Sequence, residues 1–408
     1  MSLAVRKSSP VVVRPSPEPV TMRGTIKLSS FDKGLNNAPN TSLLLFEHPI
    51  HNAAGTIQAA LSRALAHYYP IAGRIVARGG DDGDDAYIEC NDEGVVFVAA
   101  STSHALKEVI CFDWSPDARK LLDELVVYYP AMTICGPGDP LLMVQVTEFS
   151  CGGFVLGVIW NHGVADGAGM SQFLQAVGEL AGGLPSPSVA PVRWDGSLPS
   201  LSPSVLEEQE HMLSLDPLNG DLATLDITIP LESIDQIRSD FSGRFHDQPC
   251  TTFEAILATP VLLMFVADVR KHVGAKKGYY GNCIIDQFVV ATSGAVADGD
   301  VKDVIMAIKH AKDQIPGRLK MMAQQELCKL KVPTYHMMMA SSWRNLGFDR
   351  VDFGSGRPAR VTSSGKDMPP APAVQGFLSS GRDSVSVLAA LVTEEHADAL
   401  LAELAKLV

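Results

Sequence analysis

The segment Gly153-Phe-Val-Leu-Gly-Val-Ile-Trp-Asn-His162-Gly-Val-Ala-Asp166-Gly-Ala-Gly169 decides the fold and carries the first candidates for chemistry. Residues 153–161 are rich in β-branched and aromatic side chains, which favour a buried strand. A glycine-rich turn follows, and the apolar residues after it recur at helical spacing: Met170, Phe173, Leu174, Val177 and Leu180. The segment therefore predicts a strand, a turn and a helix, with His162 where the strand ends.

His162 and Asp166 are the candidate catalytic residues of this segment. A histidine with a pKa of about 6.5 can remove a proton from a hydroxyl or an amine near neutral pH. The glycines that follow it let another backbone or a ligand approach closely. Asp166 stands just before the predicted helix and can cap it or hold the turn. On these residues alone, a core histidine followed by a helix cap is an equally good interpretation, because the chain has 11 histidines.

Hydrophobic patterns along the rest of the chain predict an α/β fold with mixed sheets. Strands are predicted at Gly24–Leu28 and Thr41–Phe46 and near 73–78, 86–90, 95–100, 222–230, 283–292 and 384–393. Helices are predicted at Ala53–Tyr69 and near 231–240, 301–314 and 394–406. Turn residues at 79–85 and 91–94 predict that the three strands between 73 and 100 form a meander. The acidic turn at 79–85 is interpreted as solvated and not as a calcium loop.

A proline-rich segment divides the chain. Residues 182–203 contain five prolines, and a chain of 408 residues is about right for two domains. We predict an N-terminal domain at 1–184, a linker at 185–205 and a C-terminal domain at 206–408. The second domain would carry Asp352-Phe-Gly-Ser-Gly356, which by itself would be an ordinary tight turn.

Composition limits the class of protein. Hydrophobic residues make up 46% of the chain, which excludes wholesale disorder. The net charge of −13 argues against a nucleic-acid partner. Seven scattered cysteines without a Cys-x-x-Cys pair indicate reduced thiols and no zinc cluster. No secretory leader pattern and no run of about 18 apolar residues is present, so we expect a cytoplasmic protein without a membrane partner.

Several catalytic signatures are absent from the sequence. It contains no Gly-x-Ser-x-Gly elbow, no phosphate loop, no Gly-x-Gly-x-x-Gly and no His-Glu-x-x-His. These absences disfavour serine hydrolases, P-loop enzymes, Rossmann dehydrogenases and zinc proteases.

The motifs His162-Gly-Val-Ala-Asp166 and Asp352-Phe-Gly-Ser-Gly356 together resemble the two signatures of the plant BAHD acyl-CoA-dependent acyltransferases. Three further stretches match the family in the same order: Leu61–Arg74, Gly278-Tyr-Tyr-Gly-Asn-Cys283 and Ser341–Phe348. The resemblance implies two similar domains of mixed β-sheet with flanking helices, as in chloramphenicol acetyltransferase, and an active-site channel between them. It also implies acyl-CoA as a co-substrate, with no permanently bound cofactor and no metal.

The resemblance assigns roles to the motif residues. His162 would be the general base that deprotonates the acceptor for direct attack on the thioester, without an acyl-enzyme. Asp166 would hold the turn. In the second motif, Gly354 and Gly356 would shape the loop, and Asp352 would pair with an arginine, for which Arg270 is the candidate.

Substrate contacts are assigned by the same resemblance. Candidate contacts to CoA are Thr251, Thr252, Ser341, Ser342 and Trp343, and phosphates could meet Lys271, Lys276 and Lys277. A solvated loop is the competing interpretation of the lysines. Candidate acceptor contacts are Thr41, Leu43, Leu45 and Ser355. Core packing is an equally good interpretation of the three residues in the predicted strand.

Three positions depart from related sequences. The second signature usually has tryptophan where Ser355 stands. The stretch Thr251–Pro260 is shorter than in family members, which leaves open either a deletion or a loop missing from the numbering. Asn161 replaces the first of the paired histidines of peptide-synthetase condensation domains, which share the fold, and this favours the BAHD family.

In its general sequence pattern, the chain most resembles the grass enzymes that acylate aromatic amines or agmatine. This resemblance implies transfer of a hydroxycinnamoyl or benzoyl group to an amine such as tryptamine, tyramine or agmatine, by a monomer. Two alternatives stay open: an O-acyltransferase that acts on an alcohol, and a non-catalytic homologue that binds a partner protein.

Overall fold

The predicted strand, turn and helix around His162 are present in the computed structural model, where the strand Phe154–Asn161 leads into the helix Gly167–Ala181. The structure describes residues 5–19, 22–78, 85–107, 116–131, 134–203, 205–206, 222–244, 262–291, 300–320, 337–364, 371–378 and 384–405. The chain divides into two compact units. Unit 1 comprises 1–200, 274–283 and 344–367, and unit 2 comprises 201–273, 284–343 and 368–408.

The strands and helices are numbered in chain order. The strands are β1 (Arg6–Lys7), β2 (Val11–Val13), β3 (Gly24–Lys27), β4 (Pro39–Phe46), β5 (Arg74–Arg78), β6 (Asp85–Cys90), β7 (Val95–Thr102), β8 (Leu142–Phe149), β9 (Phe154–Asn161), β10 (Leu222–Pro230), β11 (Leu262–Asp268), β12 (Ile284–Val290), β13 (Met337–Ser342), β14 (Arg360–Thr362), β15 (Ala373–Leu378) and β16 (Ser384–Thr393). The α-helices are α1 (Ser30–Lys33), α2 (Ala53–His67), α3 (Pro116–Glu124), α4 (Gly167–Ala181), α5 (Leu231–Arg244), α6 (Arg270–Val273), α7 (Val301–Asp313), α8 (Ile315–Lys320) and α9 (Ala397–Leu404). Short 3-10 helices lie at Tyr69–Ala72, Phe348–Arg350 and Glu394–His396.

Unit 1 is built on a mixed sheet in the order β1-β7-β8-β9-β4-β14, with β2 also paired to β7. β7 and β8 are parallel, and β9 lies antiparallel between β8 and β4. Every residue of β9 is buried, as expected of a strand that is apolar up to its last residue, Asn161. This strand therefore gives the turn that carries His162 a rigid base.

Two helices pack on each other in unit 1, and α2 also contacts β7 and β8 of this sheet. α2 and α4 bury apolar faces that include Leu65 and Leu174. The rings of Tyr68 and Phe173, at the end of α2 and within α4, lie 5.2 Å apart in an edge-to-face contact. Truncating a fully buried leucine such as Leu65 to alanine costs about 2–5 kcal/mol of stability. Packing of this kind fixes α4, whose first turn borders the candidate site.

Unit 2 contains a second mixed sheet, in the order β10-β16-β15-β13-β11-β12. β13 is parallel to both β11 and β15, and the other pairings are antiparallel. Ile305 and Ile308 of α7 are fully buried in the core of this unit, together with Val385 and Ala389 of β16. Both units thus have the mixed sheets with flanking helices that the sequence predicts.

The predicted meander between residues 73 and 100 is wrong. β5 and β6 form a small sheet with β3, whereas β7 joins the large sheet beside β8. The chain changes sheets at the turn 91–94, where Asp92 and Gly94 adopt positive φ angles of 57° and 91°. The Gly94 backbone N–H donates to the carbonyl of Ala72 at 2.9 Å, which directs the chain away from a simple hairpin.

The two units differ from the predicted contiguous domains, 1–184 and 206–408. Unit 1 takes back two later segments, 274–283 and 344–367, and with them the second motif. The first segment is bound because Val192 exchanges backbone hydrogen bonds with Gly278 and Tyr280 at 2.9 and 3.0 Å. The second is bound because β14 pairs with β4. Residues 185–200, predicted as linker, therefore belong to unit 1.

Across the described ranges, no helix is both long enough and apolar enough to cross a membrane.

Candidate active site

His162 lies in the turn between β9 and α4, with its side chain half-buried. Its backbone N–H donates to the carbonyl of Ala38 at 2.8 Å. The side-chain amide of Asn161 stabilises the same turn through both its oxygen and its nitrogen. Its Oδ1 accepts from the Gly163 N–H at 2.9 Å, and its Nδ2 donates to the carbonyl of Asn36 at 2.6 Å. The backbone of the histidine is therefore held on both sides.

Asp166 is the N-cap of α4 and is almost completely buried. Its Oδ1 accepts a hydrogen bond from the Gly169 N–H at 2.9 Å, and its Oδ2 accepts one from the Cys283 N–H at 3.0 Å. The carboxylate thus satisfies a free donor of the helix and ties the segment 278–283 to the turn.

Gly169 makes this close approach possible. A Cβ atom at this position would lie 1.9 Å from the carbonyl oxygen of Tyr280, which real Cβ atoms do not reach. The absence of a side chain lets the first turn of α4 pack directly against the backbone of the segment 278–283. This contact places Asn282 beside His162.

Asn282 holds both the ring and the backbone of His162. Its Oδ1 lies 2.9 Å from the histidine Nδ1, and its Nδ2 donates to the histidine carbonyl at 2.7 Å. Nδ2 also donates to Oδ1 of Asp32 at 2.9 Å. Since both partners of Nδ2 are acceptors, the amide oxygen must face Nδ1 and accept from it. The imidazole therefore carries its hydrogen on Nδ1 and keeps a free lone pair on Nε2.

Asp32 lies behind Asn282 and is fully buried in the four-residue helix α1. Arg193 pairs with it, with 3.2 Å between Nη2 and Oδ2. Nη2 of Arg193 also donates to the carbonyl of Gly163, the residue after the histidine, at 2.9 Å. A buried network thus joins Arg193, Asp32, Asn282 and His162 within unit 1.

The pKa of His162 lies below its ordinary value of 6.5, because burial disfavours the charged imidazolium. Asp166, Asn282 and Asp32 act in the opposite direction and limit this shift. The ring is neutral at neutral pH as a result. A neutral imidazole with a free Nε2 can accept a proton from a bound nucleophile.

The second motif forms a loop closed by its own aspartate. Oδ1 of Asp352 accepts from the N–H groups of Gly354 and Gly356 at 2.7 and 2.9 Å, and these glycines have φ angles of 99° and 81°. The loop packs on α4, because a Cβ at Gly178 would lie 2.4 Å from the Asp352 carbonyl. Ser355 is buried.

Arg270, the predicted partner of Asp352, belongs to unit 2. Its Nη1 lies 3.4 Å from Oδ2 of Asp268, and its backbone N–H donates to Oδ1 of the same residue at 2.8 Å. The pairing of Arg270 with Asp352 stays a prediction.

The predicted acceptor contacts lie in the core of unit 1. Thr41, Leu43 and Leu45 are fully buried in β4, as core packing requires, and Oγ1 of Thr41 bonds to Oγ of Ser364 at 3.1 Å. These acceptor contacts, like that of Ser355, stay predictions.

The candidate CoA contacts Ser341 and Ser342 are half-buried at the end of β13 in unit 2. Trp343 is buried there against Phe377, with ring centroids 5.6 Å apart. Thr251 and Thr252 lie outside the described residues, as does the rest of the short stretch that ends at Pro260.

The predicted phosphate-binding lysines are all exposed. Lys276 pairs with the buried Asp195, with 3.1 Å between Nζ and Oδ1. Lys271 lies in α6 of unit 2, whereas Lys277 belongs to unit 1.

Comparison with known proteins agrees with this architecture. The model of the Transferase family matches residues 3–396. Acyl transferase 15 of Oryza sativa subsp. japonica is 41% identical over 100% of this chain and 99% of its own length. The chain is a BAHD acyltransferase. As a member of this family, the enzyme transfers an acyl group from acyl-CoA, its co-substrate.

Other relatives of this BAHD acyltransferase are named for different acceptors. Myricetin 3-O-glucosyl 1,2-rhamnoside 6'-O-caffeoyltransferase AT2 of Crocosmia x crocosmiiflora is 30% identical over 88% of each chain. The 3'-N-debenzoyl-2'-deoxytaxol N-benzoyltransferase of Taxus canadensis is 29% identical over 88% of this chain and 85% of its own. The names cover both oxygen and nitrogen acceptors.

Solved structures confirm the fold of the BAHD enzyme. Vinorine synthase aligns with a TM-score of 0.74 at 20% identity, covering 99% of this chain and 98% of that one. The F. sporotrichioides TRI101 complex with coenzyme A and T-2 aligns with a TM-score of 0.69 at 16% identity, covering 93% and 97%. The predicted CoA-dependent acyltransferase fold is therefore confirmed.

Three residues of the site escaped the sequence analysis. Asn282 lies in the stretch Gly278–Cys283, which was recognised only as a family match. Asp32 and Arg193 carry no local signal, because each gains its role from a partner far away in the sequence. In addition, Arg193 lies in the segment 185–205 that was predicted to be a linker, where no site residue was expected.

Proposed function

We propose that this acyltransferase moves an aromatic acyl group, hydroxycinnamoyl or benzoyl, from CoA to an amine acceptor, with His162 as the general base. The contact between Nδ1 of His162 and Oδ1 of Asn282 supports this proposal most directly. It leaves the lone pair of Nε2 available at neutral pH, as a general base requires. The lowered pKa of His162 supports the same role.

The reaction balances with one histidine. An amine of pKa about 10 arrives protonated and first loses its ammonium proton to the solvent. The lone pair of the amine nitrogen then attacks the thioester carbonyl carbon while Nε2 takes one of the remaining N–H protons. The tetrahedral intermediate then collapses, the carbon–sulfur bond breaks, and the imidazolium returns the proton to the CoA sulfur. An amide and free CoA leave, and His162 is neutral again.

Other residues have supporting roles in this proposal. Asp166 would hold the turn through its two backbone hydrogen bonds and take no proton. Ser341, Ser342 and Trp343 remain the candidate CoA contacts among the described residues. Their role predicts that substituting them raises the KM for acyl-CoA more than it lowers kcat.

Thiol release on acyl transfer tests the proposal. Purified wild type, His162→Ala and the exposed-histidine control His51→Ala would receive cinnamoyl-, coumaroyl- or benzoyl-CoA with tryptamine, tyramine or agmatine. We expect amine-dependent release by wild type and His51→Ala and its loss in His162→Ala, with all three proteins folded. Full activity of folded His162→Ala would contradict the proposed base. No thiol release by the wild type with any of these amines or with a panel of alcohols would favour the partner-binding alternative.

An alcohol acceptor is the second candidate, favoured by the 6'-O-caffeoyltransferase among the relatives. The same histidine would then deprotonate a hydroxyl group, and the product would be an ester. Release with alcohols alone, and an ester by mass spectrometry, would replace the amine proposal with this one.

A further inference from the structure

Asp32 and Arg193 form a buried ion pair that contacts Asn282 and Gly163 but takes no part in the mechanism above. The side chains of Asp32 and Arg193 are 0% and 3% exposed, and their charged atoms lie 3.2 Å apart. Burying two charges is costly, and replacing such a pair by apolar residues is often neutral for stability. The position of the pair, in contact with Asn282 and with the turn of His162, indicates another role.

Asp32 is surrounded by donors. Its Oδ1 accepts from the backbone N–H and from Nδ2 of Asn282, at 3.2 and 2.9 Å. Its Oδ2 accepts from the N–H and the hydroxyl of Ser29, at 2.9 and 2.7 Å, and from Arg193. Because a carboxylate only accepts, it forces the NH₂ end of the Asn282 amide to face Asp32.

The orientation of this amide controls the histidine. If the Asn282 amide turned over, its NH₂ group would face Nδ1 and would need a lone pair there. The imidazole hydrogen would then move to Nε2, and the base would lose its lone pair. The choice of tautomer at His162 therefore depends on the two acceptors of Asn282 Nδ2, which are the His162 carbonyl and Asp32.

Arg193 holds this acceptor and balances its charge. Its Nη2 bridges Oδ2 of Asp32 and the carbonyl of Gly163. The residue before it, Val192, is tied by backbone hydrogen bonds to Gly278 and Tyr280, which belong to the same segment as Asn282. The guanidinium is thus held through Nη2, and its charge offsets that of Asp32.

We propose that Asp32 and Arg193 are a positioning pair, which orients the Asn282 amide and so keeps the His162 hydrogen on Nδ1. This inference rests on the proposed role of His162 as the base. The described charged groups that act on the ring are Asp166 on its own turn and Asp32 on α1. Arg193 lies against Asp32 and the carbonyl of Gly163. Removing one member of the pair therefore leaves the other as an unbalanced charge that acts on the imidazole.

Steady-state kinetics on Asp32→Asn and Arg193→Met test the proposal, with acyl-CoA varied at saturating acceptor. We expect kcat to fall by about 10- to 100-fold in each variant, as for a misplaced catalytic group, with the KM for acyl-CoA unchanged. The acid limb of kcat/KM should move to lower pH in Asp32→Asn, where the guanidinium opposes protonation of His162. It should move to higher pH in Arg193→Met, where the carboxylate favours protonation.

Asp195→Asn is the matched control, because Asp195 is a buried carboxylate of the same chain segment that pairs with Lys276 and not with the network. Its acid limb should stay in place. A purely structural role would lower the melting temperatures of Asp32→Asn and Arg193→Met, as expected also of Asp195→Asn, without opposite movements of the acid limb, and this result would overturn the proposal. Folded Asp32→Asn and Arg193→Met with wild-type kcat and an unmoved limb would overturn the proposal.

The double variant Asp32→Asn/Arg193→Met covers the case in which a single variant does not fold, since it buries no unpaired charge. It should keep the wild-type acid limb and lose about 10-fold in kcat; a kcat within about twofold of wild type would overturn the proposal.

Nitrogen NMR of labelled histidine, with His162 assigned by its absence in His162→Gln, reports the tautomer without any turnover. We expect Nδ1–H in wild type and a mixture with Nε2–H in Asp32→Asn, and an unchanged tautomer would overturn the proposal. A wild-type protein that shows the Nδ1–H tautomer but no transfer activity would contradict the proposed function while leaving the positioning pair intact.

Discussion

The side-chain amide of Asn282 spans the imidazole and the backbone carbonyl of His162, at 2.9 Å from Nδ1 and 2.7 Å from the carbonyl oxygen. One side chain thus sets both the ring orientation and the position of the proton. We expect Asn282→Ala to lower kcat by about 100-fold, because the ring loses its orientation and its tautomer. Steady-state kinetics with the protein checked for folding measure this loss.

The matched variant Asn282→Asp separates shape from charge. Its carboxylate still accepts from Nδ1, but its negative charge favours the imidazolium, so the acid limb of the pH profile should move to higher pH. The carboxylate would also face Asp32, which lowers stability. Equal kcat in wild type and Asn282→Ala would contradict a role for this contact in catalysis.

The lowered pKa of His162 predicts a pH dependence of stability. The unfolded chain binds a proton at this histidine below about pH 6.5, whereas the folded chain resists it until lower pH. The contribution to stability is therefore present above about pH 6.5 and is lost as the pH falls toward the folded-state pKa. Denaturant unfolding of wild type and His162→Gln at several pH values measures it, as a difference that shrinks on acidification.

His67→Gln is the control for this experiment, because burial also lowers the pKa of His67. Its profile should keep the part of the pH dependence that belongs to His162. A wild-type profile that gains stability on acidification relative to His162→Gln would show that the folded-state pKa is raised instead.

Asp166→Ala should destabilise the protein by about 2–4 kcal/mol, since it removes the cap of α4 and leaves the Cys283 N–H without its acceptor. Asp166→Asn keeps one acceptor oxygen and should cost less. The control is Asp300→Ala at the cap of α7, where the bond from Lys302 N–H is exposed and only about 0.5–2 kcal/mol is at stake. Equal losses at the two caps would speak against the tie between Asp166 and Cys283.

Gly169→Ala should destabilise the protein by about 1–3 kcal/mol or more, because its Cβ would meet the Tyr280 carbonyl at 1.9 Å. The shift should also move Asn282 and lower kcat. Gly317→Ala, in α8, meets nothing within 4 Å and should be neutral or slightly stabilising. Thermal unfolding of both variants beside wild type checks the difference, and a harmless Gly169→Ala would disprove this close approach.

Local pattern was sufficient for much of the fold. The apolar run of β9, the helical spacing of α4 and the strands near 222–230 and 384–393 were all predicted, because periodicity reflects burial of one segment at a time. What failed was non-local pairing. Nothing in Val95–Thr102 indicates that β7 pairs with β8 rather than with β6, and nothing in the three residues of β14 indicates β4 as a partner.

The candidate site divides in the same way. His162 and Asp166 stand together in one motif, so their four-residue spacing on a turn could be recognised. Asn282 lies 120 residues from His162, and Arg193 pairs with a residue near the start of the chain. Such contacts depend on how the elements pack, which no window of sequence contains.

The return of β14 to β4 has a consequence for how this enzyme is made. The sheet that supports His162 acquires its last strand only when residues 360–362 have left the ribosome, and the site itself waits for Asn282. In most multidomain proteins the N-terminal domain folds as a unit during synthesis, before the rest of the chain has emerged. Here a truncated message that ends after the first half would yield an unfinished sheet with an open edge at β4, a surface prone to aggregation.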